Sequence, residues 1–231
     1  MFRSVMNPKV LATIVSAGVS ALLSTSCSTM PGSHASLAAY HAYDRPARLP
    51  SNPDNVRVKV SLNKQRTYVM EGNEMLFVMP VSVGTSGKPT PSGNFRIFNK
   101  EANRRANTHG FAYNGSHVKR TMQSSRPVGW SFKGTPMPYW CEFKPAYGFH
   151  TGWVKHQPAT HGCIRMHENL APKFFRLVKV GTPVNIAYSQ PEDATYGNIP
   201  LPPDAGPLPD YDTSMYLGDG YFRQHKLPVF H

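Results

Sequence analysis

Acidic residues are scarce in this 231-residue sequence. Thirteen Asp and Glu stand against 25 Lys and Arg, a formal net charge of +12. So basic a body suits an acidic partner: nucleic acid, anionic lipid or a carboxylate-rich polymer. Cysteine is scarcer still, three in all, too few for a disulfide framework. No apolar run reaches the ~18–20 residues of a membrane span, which excludes a polytopic membrane protein. What is abundant is turn chemistry, 22 prolines and 18 glycines, which argues against a helical bundle. At 40% hydrophobic and 16% charged, the composition is that of a globular chain rather than a disordered or coiled-coil one. Its length allows one large domain or two small ones.

Residues 1–27 read as an export signal. Arg3 and Lys9 are their only charges, ahead of the weakly polar stretch Val10–Leu23 and then Ser24-Thr25-Ser26-Cys27. A short apolar segment behind a basic start is too short to span a membrane stably. A cysteine directly after small residues resembles a bacterial lipoprotein box, in which Cys27 is lipidated and becomes the mature N-terminus; ordinary cleavage or a retained anchor is the alternative. Residues 28–53 are rich in Ser, Ala, Pro and Asn without periodicity and read as a tether. Residues 54–188 carry the regular signals. Residues 189–231 are proline-rich and read as an extended tail. Charge separates these zones: 21 basic and 7 acidic residues lie between 28 and 188, whereas the tail holds six acidic and two basic ones. Export disfavours nucleic acid as the partner.

The middle zone is β-rich. Val56–Leu62 alternates apolar and polar residues with period two, the mark of a half-buried strand. Gln65–Met70 and Met75–Val83 follow, split by the turn Glu71-Gly72-Asn73-Glu74, which predicts a meander. Phe95–Phe98 and Val184–Ala187 are further short strands. One helix is expected at Asn169–Val178, capped by Asn169, with Pro172 in its first turn. Leu170, Phe174, Leu177 and Val178 share its apolar face. The expected architecture is a small antiparallel β-structure with one helix.

Chemistry concentrates between Phe149 and Met166, where His150, His156, His161, Cys163, Arg165 and two glycines fall together. Three readings compete. As a nucleophilic site, Cys163 attacks a carbonyl while a histidine takes its proton. A free thiol with pKa ~8.5 is only a few per cent thiolate at neutral pH, and a nearby imidazole or Arg165 raises that fraction. Gly162 lets the backbone approach the substrate, so the N–H groups of Gly162 and Cys163 can face a developing oxyanion. As a metal site, the spacing H-x5-H-x4-H-x-C matches no common zinc pattern. As bland structure, Cys163 is a buried thiol, or pairs with Cys141 in an exported chain.

The segment Thr160-His161-Gly162-Cys163-Ile164-Arg165-Met166 resembles the signature of the L,D-transpeptidase catalytic domain. Val56–Leu62 with Gln65–Val69 is similar to that family's opening strand pair. Pro80–Gly84 and Thr90–Phe95 are similar to its next conserved stretch. Met137–Trp140, Gly148–His150 and Gly181–Val184 also resemble family positions, in order. The resemblance covers roughly residues 54–188 and implies a mainly β fold, an L,D-transpeptidase-like sandwich or small barrel with one or two short helices.

It also implies roles. Cys163 is the nucleophile and His150 the base, with the carbonyl of Thr151 orienting the imidazole. His161, Gly162 and Cys163 line the oxyanion hole through their backbone N–H groups. Arg165 holds the loop or meets a substrate carboxylate. Tyr139 and Trp140 are candidates for a substrate wall, although aromatics at strand spacing are more often core. His156 is a rival base without a matching motif position. Arg104-Arg105 and Lys119-Arg120 read as solvated loop charges. The implied function is a peptidoglycan enzyme that needs no cofactor and no metal. It acts on stem peptides as a monomer in the cell envelope, held to the membrane by its lipid anchor. A carboxypeptidase of the same fold and a non-catalytic wall-binding module are the alternatives.

Overall fold

A computed structural model of the chain describes residues 33–204, 211–223 and 227–230. The export segment 1–27 and Cys27 lie outside the described residues. The protein is mainly β. Ten strands run in chain order: β1 (Val56–Ser61), β2 (Arg66–Glu71), β3 (Glu74–Ser82), β4 (Gly93–Arg96), β5 (Asn99–Asn114), β6 (His117–Met122), β7 (Ser131–Lys144), β8 (Tyr147–Thr151), β9 (Ile164–Met166) and β10 (Pro183–Ala187). They form one sheet in the order β4-β10-β1-β2-β3-β9-β8-β7-β5-β6. Among the described residues there are five short helices, α1 (Ser33–Ala42), α2 (Ala171–Leu177), α3 (Asp193–Tyr196), α4 (Thr213–Leu217) and α5 (Gly220–Arg223). None of them is long and apolar enough to cross a membrane.

The alternating run predicted as the first strand is β1, where Val56, Val58 and Val60 are all buried. It pairs antiparallel with β2, and β2 with β3 through the predicted turn, in which Glu71 faces Glu74. The sheet is mixed rather than antiparallel throughout, because β1 runs parallel to β10 and β8 parallel to β9. Those parallel pairs need crossovers, and α2 lies in the segment that leads back to β10. Phe149 on β8, Ile164 and Met166 on β9, and Leu170, Phe174 and Leu177 from α2 and its approach share one core. Phe174 packs on Phe149 with ring centroids 4.6 Å apart. Each such side chain, once fully buried, contributes about 1.5–3 kcal/mol. That core backs the two strands that carry the histidine and cysteine motifs.

Four expectations need correction. The helix starts two residues later than predicted, and Asn169 does not cap it. Its amide instead donates to the carbonyls of His41 (2.7 Å) and Tyr43 (2.8 Å). Those carbonyls belong to the presumed tether, which is a packed segment. Tyr40 on α1 is 1% exposed. Lys173, fully buried on α2, donates to both carboxylate oxygens of Asp44 (2.8 Å each) and to the Arg45 carbonyl (2.6 Å). A buried ammonium is costly unless paired and hydrogen-bonded, so α2 requires this N-terminal segment.

The C-terminal zone is likewise not simply extended. Tyr68 donates to Asp193 (2.7 Å) and Lys59 pairs with Glu192 (2.5 Å). Farther on, Arg105 donates to the carbonyls of Tyr216 (2.6 Å) and Gly218 (2.7 Å). Arg105 is therefore a tail clamp, not a solvated loop charge.

Candidate active site

His150 is the penultimate residue of β8 and Cys163 immediately precedes β9. Parallel pairing sets Phe149 opposite Ile164 and His150 opposite Arg165. This register brings the two ends of the motif to one edge of the core, and both side chains line a cavity of about 830 Å³. His150 Nδ1 stands 2.8 Å from the carbonyl oxygen of Thr151. A carbonyl only accepts, so Nδ1 carries the proton and Nε2 keeps the lone pair. Burial, reinforced by the charge of Arg165, lowers the imidazole pKa from 6.5 to about 4. His150 is therefore neutral at neutral pH, as a base must be.

The Cys163 thiol is pushed up by burial, against the Gly148 N–H and the Arg165 charge, which favour the thiolate. The resting pair is a neutral thiol and a neutral imidazole. Sγ donates a weak hydrogen bond to the Ala146 carbonyl at 3.8 Å. Cys163 and Cys141 are both free thiols. Cys141 faces the core from β7 with its pKa raised to about 12 by burial, so the disulfide reading is not what the structure holds.

The loop before Cys163 is stapled by one hydroxyl. Thr160 Oγ1 accepts from the Gly162 N–H at 3.1 Å and donates to the Cys163 carbonyl at 2.6 Å. The Gly162 N–H is therefore committed within the loop, which corrects its expected place in an oxyanion hole. Glycine is required at 162 for other reasons. Its φ is +107°, and a Cβ there would stand 2.5 Å from Tyr147 Cε1. Gly152 has a comparable role, because a Cβ on it would meet Arg165 Cδ at 2.9 Å. The Thr-Gly pair after His150 thus makes room for the Arg165 stem, which crosses the backbone beside it.

The candidate wall residues divide. Trp140 lines the cavity, 6.2 Å from the His150 ring, with its indole N–H on Glu142 (3.2 Å). Tyr139 turns the other way and packs against Phe175 at 5.5 Å, so it is core, not substrate wall. Neighbours on a strand face opposite sides, which separates Tyr139 from Trp140. Thr151 serves through its carbonyl, since its side chain is buried. His156 is removed as rival base: its Nε2–H donates to the Pro202 carbonyl at 2.8 Å, and it does not line the cavity. His161 lines it and meets His109 with ring centroids 5.6 Å apart. Its pKa is lowered by burial and by the charges of Lys88, His109 and Arg165. Among the described residues, no three His, Cys, Asp or Glu side chains converge as a metal site.

Several cavity residues escaped the sequence reading. Arg104 is one of them, resting over Trp140 (5.6 Å) and donating to Glu101 (2.6 Å). It sits just before a break in register: Arg105 faces Pro136, then Gly110 faces Gly134, so residues 106–109 bulge opposite Thr135 alone. That bulge supplies Ala106, Asn107, Thr108 and His109 to the wall, the re-aiming that bulges provide beside sites. Tyr40, Glu168 and the tail tyrosines Tyr211, Tyr216 and Tyr221 complete it. Only the Arg104-Arg105 pair carried a signal, two adjacent charges in a stretch otherwise without periodicity.

Comparison with known proteins adds a family. The model of the L,D-transpeptidase catalytic domain matches residues 55–186. Among solved structures, the fold is similar to an L,D-transpeptidase from Mycobacterium smegmatis, at 19% identity over 58% of each chain and a TM-score of 0.45. It is also similar to one from Stackebrandtia nassauensis, at 21% identity over 68% of this chain and 66% of that one, TM-score 0.44. A third is Mycobacterium tuberculosis L,D-transpeptidase 1, at 21% identity over 57% of this chain and 60% of that one, TM-score 0.41. The chain covers less than two thirds of each of these structures. No curated protein matches it.

Proposed function

Because the chain belongs to the L,D-transpeptidase catalytic domain family, we propose that it is a peptidoglycan L,D-transpeptidase with Cys163 as nucleophile. The observation that carries this reading is the tautomer fixed on His150. With Nδ1–H held by the Thr151 carbonyl, Nε2 is left as a proton acceptor in the same cavity as the thiol. Nε2 takes the thiol proton as Sγ bonds to the carbonyl carbon of the third residue of a stem tetrapeptide. The amides of His161 and Cys163 are the remaining oxyanion donors, since Gly162 is engaged. Collapse breaks the peptide bond, and the imidazolium gives its proton to the departing D-alanine amine. The thioester then passes to an amine, and Sγ recovers its proton. Peptide, thioester and new amide succeed one another without an external energy source.

The basic wall suits this donor. Lys88, Arg104 and Arg165 line the cavity, and stem peptides carry several carboxylates. On the sequence of residues 1–27, we propose export and lipid anchoring at Cys27, which would bring the enzyme to its substrate. Incubation with disaccharide-tetrapeptide followed by mass analysis tests the activity. Tripeptide, dimers or exchanged termini are expected, and all should vanish in Cys163→Ala. Turnover that survives this substitution refutes the assignment.

A further inference from the structure

The cavity is not uniform in charge. Lys88, Arg104 and Arg165 supply its positive part, while Glu168 brings a carboxylate that the acyl transfer described above does not use. Glu168 lies two residues beyond β9, and its side chain is 23% exposed. One carboxylate oxygen accepts from the Tyr211 hydroxyl at 2.7 Å and the other faces His41 Nδ1. Among the described residues its partners are a phenol and an imidazole, and neither lysine nor arginine pairs with it. Three rings share this part of the wall. Trp153 stacks on Tyr211 with centroids 5.6 Å apart and planes 11° from parallel, and it meets Tyr40 edge-on at 5.0 Å.

A carboxylate set among aromatic rings is the arrangement that recognises an organic cation. The carboxylate supplies charge, the rings supply π density, and both act more strongly away from bulk water. Location matters as much. Trp153 follows His150 by three residues, so its Cα lies within about 11 Å of the base. A flexible amine held here is within reach of the thioester.

We infer that Glu168, Trp153 and Tyr211 form the acceptor subsite, and that the acceptor they take is a cationic primary amine in preference to water. The inference rests on the transpeptidase reading of Cys163 and names the second substrate of that reaction. The amine arrives as an ammonium and gives one proton to solvent. The neutral nitrogen then attacks the thioester carbonyl, the C–N bond forms and the C–S bond breaks. The nitrogen's second proton passes through His150 Nε2 to Sγ.

The test uses the full chain, disaccharide-tetrapeptide as donor and a lysine-containing peptide as the acceptor probe. Amide product and hydrolysed tripeptide are measured in the same sample. Glu168→Gln should lower the ratio of amide to hydrolysis product about tenfold at sub-saturating acceptor, and Trp153→Leu should lower it severalfold. Trp153→Leu keeps the test decisive should loss of the Glu168 charge disturb folding. An unchanged ratio in Trp153→Leu and in any folded Glu168→Gln overturns the subsite and leaves the transpeptidase intact. No release of D-alanine by the unsubstituted protein overturns both.

Discussion

Thr160→Val isolates the contribution of the hydroxyl that staples the loop before Cys163. Valine matches threonine in shape, so packing at this buried position is retained and only the hydroxyl is lost. Two backbone groups then lose their partner, the buried Gly162 N–H and the half-buried Cys163 carbonyl. A buried polar group left unsatisfied costs about 1–3 kcal/mol, and the more solvated carbonyl less, so a loss of about 2–4 kcal/mol is expected. For a chain of this size, 1 kcal/mol corresponds to about 2–4 °C in Tm, which predicts a drop of about 4–16 °C. The loop's outer anchors persist, because Thr160 N still donates to the Val83 carbonyl (3.0 Å) and Thr85 N to the Thr160 carbonyl (3.1 Å). The variant should therefore fold, with Cys163 poorly placed. Calorimetry gives the Tm, and the rate of alkylation by iodoacetamide reports the thiol. Thr160→Ser, which keeps the hydroxyl, should recover most of both. A Thr160→Val protein with unchanged Tm and unchanged alkylation rate would refute the staple.

Four further outcomes follow from the geometry. The acid limb of kcat/KM should fall near pH 4 rather than 6.5, because His150 stays neutral down to its lowered pKa; a limb near 6.5 would contradict its burial. Stability should fall as pH drops from 6.5 towards 4. There the unfolded chain protonates His150 and His167, whereas burial keeps both neutral in the fold; urea titration at several pH values reads this slope. Iodoacetamide with peptide mapping should label Cys163 in the native protein and Cys141 only after denaturation, since burial withholds the Cys141 thiolate. Arg105→Ala removes the donors to the Tyr216 and Gly218 carbonyls. It should speed proteolytic cleavage in residues 211–223 severalfold, and an unchanged digestion pattern would show that the tail is held by its rings alone.

The parts of the fold legible in the sequence are those whose burial leaves a pattern in residue type. β1 alternates because one side meets the core, β3 runs apolar because most of it is buried on both faces, and the helix after β9 shows a stripe because one side packs on the core. β5 and β7 were not legible. Residues 99–109 of β5 are exposed or half-exposed along their length, so no period of two appears. Pro136 and Pro138 in β7 argue against a strand, yet β8 pairs β7 only from Cys141 onward. At both prolines β7 therefore has a neighbour on one side alone, where a missing N–H is tolerated.

The site divides in the same way. His150, Cys163, Gly162 and Arg165 were legible because two short motifs carry them. Tyr40, Arg104, Glu168 and Tyr211 were not, because only the folded chain brings them to the cavity. The commitment of the Gly162 N–H to Thr160 was hidden too, since residue identity does not tell which way an amide points.

The buried ammonium of Lys173 has a consequence for where this protein can be cut. Its counter-charge, Asp44, precedes the first residue of the family match, and three tyrosines of the cavity wall come after the last. An excised 55–186 fragment would strand a cation inside its helix and leave the reaction chamber breached on one flank. The cooperative unit is therefore wider than the matched residues 55–186, and a graft of those residues alone into another protein would bring the motif without its vessel.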